Sequence, residues 1–390
     1  MSRQQLQWMH KELESLRERQ QFRSITDSEP QPDGWVIRSG QRMLNLASNQ
    51  YLGMDWAWAA PGLETASAGM GAGAGASRLV TGNHPLCTRL EQEFARFKGT
   101  ESCLLLSSGY MANIGVIPAL VGRSDCIFSD RLNHASIMDG IVLSRAECRR
   151  YPHRDLDRLE AQLKKAPAGA RKLIVTDSIF SMDGSIAPLR ELVELKDRYG
   201  AMLMVDEAHS GGLYSEEGQG LIHSLRLTDR VEIQMGTFSK VYGAYGAYIA
   251  GDALLKEYLT NKARSLIFTT ALPPAVISAV YRSWQSVKGH RVRRAELQRK
   301  AALFRQRLQE AGFDTGESEC HIVPLVLGSN EKALKVSEKL QQEGIAAVAI
   351  RPPTVPEGKA RIRFSLMATH SDEDLQWAME RIIRIGREEG

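Results

Sequence analysis

The amino-acid sequence predicts an α/β protein: a mostly parallel sheet with helices on both faces, an N-terminal helical arm and a small C-terminal α+β domain. Three observations carry that expectation. Continuously apolar runs such as Ala201-Met202-Leu203-Met204-Val205 mark strands buried on both faces of a parallel sheet. These runs alternate with stretches of helical period, which gives repeated strand–helix units. The chain of 390 residues is too long for one ordinary core, and its pattern changes near Ser283. The expected division is an arm over 1–45, a large domain over 46–282 and a small domain over 283–390.

Along the chain, residues 1–24 read as one amphipathic helix, with Leu6, Met9, Leu13 and Leu16 as its apolar stripe. Pro30, Pro32, Asp33 and Gly34 end it, and Trp35-Val36-Ile37 and Met43-Leu44-Asn45-Leu46 read as a hairpin across Ser39-Gly40. The glycine-rich stretch from Gly69 to Arg78 follows no clear strand, so a dinucleotide fingerprint is a poor reading and a close-packed, mobile loop lining a pocket is expected. Pro85–Phe97 has helical spacing and Cys103–Leu106 is a buried strand. Ser107-Ser108-Gly109-Tyr110 then turns from that strand into a helix. Strands are expected at Asp125–Ser129 and Lys172–Asp177, and helices at Ile137–Ser144, Leu156–Lys165 and Leu189–Tyr199. After the Val205 strand come a strand at Val231–Met235 and an antiparallel one at Gly246–Ala250. The C-terminal region reads as helix Val292–Ala311, strand Ile322–Leu327, helix Glu331–Glu343, strands Ala346–Ile350 and Ala360–Leu366, and helix Glu373–Gly386 capped by Ser371.

Bulk properties exclude several classes. The net charge of +4 is small for this length and gives no reason to invoke nucleic acid or an anionic membrane. Asp206-Glu207-Ala208-His209 spells the acidic box of one helicase group, but no G-x-x-x-x-G-K-[ST] phosphate loop accompanies it. The five cysteines include no C-x-x-C, so neither a disulfide framework nor a zinc cluster is indicated. The N-terminus has no apolar h-region, and no apolar run approaches a membrane span. A cytoplasmic location is expected.

Two stretches carry chemistry. Strand Val231–Met235 runs into Gly236-Thr237-Phe238-Ser239-Lys240. A lysine held by such a turn is a nucleophile once deprotonated, and the flanking hydroxyls suit a phosphate. Alone, it reads as an ordinary surface lysine. The apolar strand before Asp206 changes the balance, because ligands in open α/β sheets bind beyond the carboxyl ends of strands. A carboxylate there is costly to bury unless it meets a cation, and the pyridinium nitrogen of pyridoxal phosphate is such a cation.

These stretches, together with Ser48-Asn49-Gln50-Tyr51-Leu52-Gly53 and Arg351-Pro352-Pro353-Thr354-Val355-Pro356, resemble the α-oxoamine synthases. That family belongs to the fold-type I pyridoxal-phosphate transferases, and it condenses an amino acid with an acyl thioester. The resemblance runs from about Phe22 to the last helix and implies a sheet of the seven-stranded type. It implies Lys240, His134 and Asp206 as catalytic residues. Gly109, Tyr110, Thr237 and Ser239 would hold the cofactor's phosphate, His134 its ring face, Asp206 its ring nitrogen, and His209 and Ser181 its oxygen side. Arg23, Asn49, His134, Thr354 and Arg363 would meet substrate, with Arg363 rather than Arg361 taking the α-carboxylate. Phe268-Thr269-Thr270 would reach the phosphate of a neighbouring subunit, which implies a homodimer with shared sites. The Arg351–Pro356 loop most resembles the branch that joins L-alanine to a pimeloyl thioester, carried on coenzyme A or a carrier protein. The alternative is a glycine-using branch such as glycine C-acetyltransferase. Two departures from the family pattern stand out: Ser210-Gly211-Gly212 after the histidine, and a short segment between Gly53 and the glycine-rich loop.

Overall fold

A computed structural model of the chain describes residues 3–54 and 72–389. Its principal elements, in order, are α1 (Gln7–Glu18), β1 (Ser28–Gln31), β2 (Trp35–Arg38), β3 (Gln41–Asn45), α2 (Pro85–Lys98), β4 (Ser102–Leu106), α3 (Gly109–Leu120), β5 (Cys126–Asp130), α4 (Ala135–Ser144), β6 (Glu147–Tyr151), α5 (Leu156–Lys164), β7 (Lys172–Asp177), α6 (Leu189–Tyr199), β8 (Met202–Asp206), β9 (Ile233–Thr237) and β10 (Ala247–Gly251). They continue as α7 (Ala253–Lys262), α8 (Pro274–Gly289), α9 (Arg291–Glu310), β11 (Ile322–Gly328), α10 (Asn330–Gln342), β12 (Ile345–Ala346), β13 (Val348–Ile350), β14 (Ala360–Ser365) and α11 (Asp372–Glu389). The chain divides into two compact units. The larger holds Leu52–Ser181 and Ser185–Ala295; the smaller holds Met1–Tyr51, Met182–Gly184 and Glu296–Gly390.

The larger unit is built on a seven-stranded sheet of order β4-β10-β9-β8-β7-β5-β6. The neighbours from β9 to β6 pair in parallel, and β10 alone runs antiparallel, to both β9 and β4. Side chains alternate across the strands. Leu173, Val175 and Met204 pack with Ile117, Ile137 and Ile141 on one face. Ile174, Leu203 and Val205 pack with Leu159, Leu189 and Leu192 on the other. That double covering is why these strands read as unbroken apolar runs.

Strand β6 was not expected. It lies at the sheet edge, and its sequence Glu-Cys-Arg-Arg-Tyr buries only Tyr151. Charges blunt an exposed edge against pairing with other chains, and they also erase the apolar signal.

In the smaller unit, β1-β2-β3-β12 form one sheet and β11-β14-β13 another. Strand β12 pairs in parallel with β3, which joins the N-terminal hairpin to C-terminal elements. The expected single strand Ala346–Ile350 is instead split between the two sheets as β12 and β13. The N-terminal helix stops at Glu18 rather than reaching residue 24, because Gln20 takes a positive φ of 57° that no helix continues. None of its residues is buried within the chain. Ser283 lies inside the continuous helix α8, with its hydroxyl bonded to the carbonyl of Tyr242. Ser371 caps α11 as expected, accepting from the Asp374 N–H at 2.9 Å.

Candidate functional site

Two clusters bring together the residues singled out in the sequence, one in each unit. In the larger unit, β8 and β9 are adjacent and parallel, with Asp206 opposite Met235. The end of β8 and the Thr237–Lys240 turn therefore leave the sheet at the same carboxyl edge, where α/β sheets hold ligands. Asp206 is 4% exposed. Its Oδ1 accepts from the Ala208 N–H at 2.9 Å and its Oδ2 from the Asn113 amide at 2.9 Å. Both donors are neutral, so the buried carboxylate retains the capacity to pair with a cation.

Helix α3 starts at the same edge. Ser108 caps it, accepting from the Met111 N–H at 3.2 Å. The N–H groups of the first turn have no acceptor within the helix and suit an anion. A Cβ added at Gly109 would lie 3.0 Å from Met235 Cε and 3.9 Å from Thr237 Oγ1, so this helix end rests directly against the end of β9. Thr237 Oγ1 accepts from the Ser239 N–H at 3.2 Å and lies 3.1 Å from Ser239 Oγ. Gly109, Thr237 and Ser239 thus present a helix N-terminus and two hydroxyls within one small space. The Tyr110 hydroxyl is committed to Asp139.

His134 is the N-cap of α4, and its Nδ1 accepts from the Ser136 N–H at 3.2 Å. Its backbone N–H donates to Asp177 at 2.8 Å. Burial lowers the imidazole pKa below its ordinary value, against the pull of the Asp206 carboxylate and with the push of Lys240. Asp177 pairs in register with Asp206. Burial first, and the neighbouring Asp206 second, drive its carboxyl pKa well above the carboxylate range. His209 is buried three residues beyond Asp206, and Ser181 is half-buried after β7. Ser210, one of the departures from the family pattern, bonds Ser178 at 2.9 Å and Glu207 at 3.2 Å. Glu207 itself pairs with Lys98 at 2.5 Å, both side chains fully buried.

In the smaller unit, Arg363 Nη2 donates to Asn49 Oδ1 at 3.0 Å and to the Tyr51 hydroxyl at 3.3 Å. The Tyr51 hydroxyl donates in turn to Asn49 Oδ1 at 2.9 Å. A guanidinium only donates, so the Asn49 oxygen faces it and the amide nitrogen is left for another acceptor. Arg361, two residues away, is held by Asp183 at 2.6 Å, consistent with a structural role. Arg23 lies 3.4 Å from the Thr354 hydroxyl.

Some expectations fall elsewhere. At Gly73 and Gly75 an added Cβ would meet nothing within 4 Å among the described residues. Gly69 and the short segment after Gly53 lie outside the described residues. Sequence reasoning missed Asn113, Lys98 and Asp177. Asp177 ends an apolar strand just as Asp206 does, and that signal could have found it. Asn113 and Lys98 sit within helices and carry no local mark.

The arrangement offers an amine, a buried carboxylate and an anion-binding helix end along one sheet edge. The amine suits an aldehyde, the carboxylate a protonated ring nitrogen, and the helix end a phosphate. Residues 41–382 match the family described as aminotransferase class I and II. A Bacillus cereus protein with the provisional name 8-amino-7-oxononanoate synthase is 54% identical over 387 residues, spanning 98% of this chain and 97% of that protein. Serine palmitoyltransferase from S. paucimobilis, solved with bound PLP and myriocin, superposes with a TM-score of 0.92 at 28% identity, covering 100% of this chain and 99% of that one. The 8-amino-7-oxononanoate synthase of Francisella tularensis superposes with a TM-score of 0.77 at 28% identity, covering 89% and 98% respectively.

Proposed function

The chain belongs to the aminotransferase class I and II family, and from that premise we propose that it condenses L-alanine with a pimeloyl thioester. The products are 8-amino-7-oxononanoate, carbon dioxide and the free thiol, a step of biotin biosynthesis, with pyridoxal phosphate as cofactor. The observation that carries the cofactor part of this reading is the buried Asp206 carboxylate, held by two neutral donors at the sheet edge from which the Lys240 turn also departs; the product follows the name of the 54% identical relative.

When bound, pyridoxal phosphate supplies an electron sink that acidifies the α-carbon of an attached amino acid. The chain supplies the rest. Lys240 Nζ would hold the cofactor's aldehyde carbon, and its free amine would serve as the general base for the α-proton. Asp206 holds the ring nitrogen in its protonated form. Gly109 and Tyr110 N–H groups with the Ser239 hydroxyl would receive the phosphate, beside Thr237, whose own hydroxyl donates to the Gly246 carbonyl at 2.9 Å, while His209 and Ser181 would serve the ring's oxygen side. The His134 ring would face the cofactor ring. Arg363, its guanidinium held in place by Asn49, Tyr51 and Ser365, would meet the α-carboxylate as a fixed positive charge. Arg23 and Thr354 contact substrate.

The active form is proposed to be a homodimer with shared sites. Leu79, Val80, Val142, Leu143 and Phe268 are all more than half exposed in the isolated chain, and such apolar surface favours a partner copy. Among the described residues no helix is long and apolar enough to cross a membrane. All five cysteines are free thiols, the state a reducing cytoplasm maintains. The reading is tested by offering the purified enzyme L-alanine or glycine with pimeloyl, acetyl or succinyl thioesters and measuring thiol release. Turnover with alanine and the pimeloyl thioester is expected to exceed every other pair; preference for glycine with an acetyl thioester would overturn it.

A further inference from the structure

Asn113 and Ser136 form a buried bridge between Asp206 and His134. Asn113 is 1% exposed and Ser136 is 1% exposed. The Asn113 amide nitrogen lies 2.9 Å from Asp206 Oδ2 and 2.9 Å from Ser136 Oγ. Ser136 Oγ lies 2.7 Å from His134 Nδ1. Helices α3 and α4 come close enough for this because position 140 is glycine: a Cβ there would sit 2.7 Å from the Asn113 carbonyl oxygen.

The direction of every proton in the bridge follows from its ends. A carboxylate only accepts, so the Asn113 group facing Asp206 is the NH2 and not the oxygen. Its second N–H points at Ser136 Oγ, which therefore accepts there. The serine has one proton left, and it faces His134 Nδ1. The backbone N–H of Ser136 also points at Nδ1, at 3.2 Å, and a backbone N–H can only donate. Two donors on one ring nitrogen leave no place for a proton on it.

We infer that Asn113 and Ser136 are positioning residues that lock His134 as the neutral tautomer carrying its proton on Nε2. His134 then offers a single fixed N–H donor from Nε2, rather than a charged ring or a base at Nδ1. The same amide that anchors the chain to Asp206 sets that tautomer, so the two groups are oriented as one unit. Among the described residues, the charged or titratable groups around the imidazole are Asp206, Lys240, Asp139 and Tyr110, whose ring centroid lies 6.4 Å away, with Asp177 on the backbone N–H. The inference deepens the proposed function, since it assumes that His134 and Asp206 both serve the cofactor.

The test is 15N NMR of histidine-labelled, cofactor-loaded protein at neutral pH, with the His134 signals among the nine histidines assigned by the His134→Gln variant. The expected pattern is a protonated Nε2 and a bare Nδ1. A proton on Nδ1, or a charged ring, at His134 of the otherwise unaltered protein would overturn the inference. In Ser136→Ala the tautomer preference should relax by about tenfold, the worth of one hydrogen bond. Asn113→Ala, which does not touch the imidazole, should move the same signals in the same direction. Signals unchanged in both variants would remove their positioning role. Absorbance of bound pyridoxal phosphate, recorded on the same wild-type sample, separates the two ideas. Absent cofactor sinks the proposed function, whereas bound cofactor with the wrong tautomer sinks only this inference.

Discussion

Arg363 and Asn49 stand 314 residues apart in the chain, yet the guanidinium donates to the Asn49 side-chain oxygen at 3.0 Å. Tyr51 closes the triangle, and burial pushes its phenol pKa well up, so it remains a neutral donor. The arrangement aims a rigid fork rather than a flexible point charge.

That geometry sets the first prediction. Arg363→Lys keeps the charge but loses the fork, and a lysine cannot reproduce its paired hydrogen bonds. kcat/KM for L-alanine should fall about 10–100-fold, the worth of one or two charge-assisted hydrogen bonds. Steady-state kinetics with varied alanine checks it, and an unchanged kcat/KM would remove Arg363 from the carboxylate site.

Lys240→Ala tests the base and the tether together. Loss of a general base costs typically about 10²–10⁴ in rate, and here the covalent hold on the cofactor goes as well. Turnover should fall below detection, and the cofactor's visible absorbance should be lost on gel filtration. A variant that kept both full turnover and that absorbance would end the proposed chemistry.

The buried pair Lys98–Glu207 makes a prediction about stability. Both side chains are fully buried, and Glu207 also accepts from the Ile222 N–H at 2.9 Å. Lys98→Met leaves a carboxylate without its cation in the loop that follows Asp206, at a cost of about 3–5 kcal/mol. Urea unfolding should show this, and Lys98→Met combined with Glu207→Gln should cost less than the sum of the two single changes. Strict additivity would mean the two groups do not interact.

His370 predicts an acid limit. Burial pushes its pKa down to about 4 in the folded chain, against about 6.5 unfolded. Between those values the unfolded chain binds the extra proton, so stability rises with pH across that window. The contribution is complete above pH about 6.5 and is lost as pH falls toward 4, on the order of 3 kcal/mol in all. Unfolding midpoints measured across that window should flatten in a His370→Gln variant; an equal slope in both proteins would exclude His370 as the cause.

The residues of the two clusters differ in how far local sequence reveals them. Asp206 and Lys240 each follow an apolar strand, and that context alone points to the carboxyl edge of a sheet. The α/β class, the double-faced burial of β7 and β8, and the chemistry of the Asp206 and Lys240 stretches were therefore determined by the chain's own pattern, because burial on two faces and strand-end placement leave a local trace. Tertiary structure alone decided that Asn113 holds Asp206, that Lys98 meets Glu207, that Asn49 steadies Arg363, and that the edge position goes to the charged strand β6. Each of those depends on hydrogen bonds or ion pairs between segments distant in sequence. A polar side chain inside a helix shows the same local pattern whether it faces water or a buried partner.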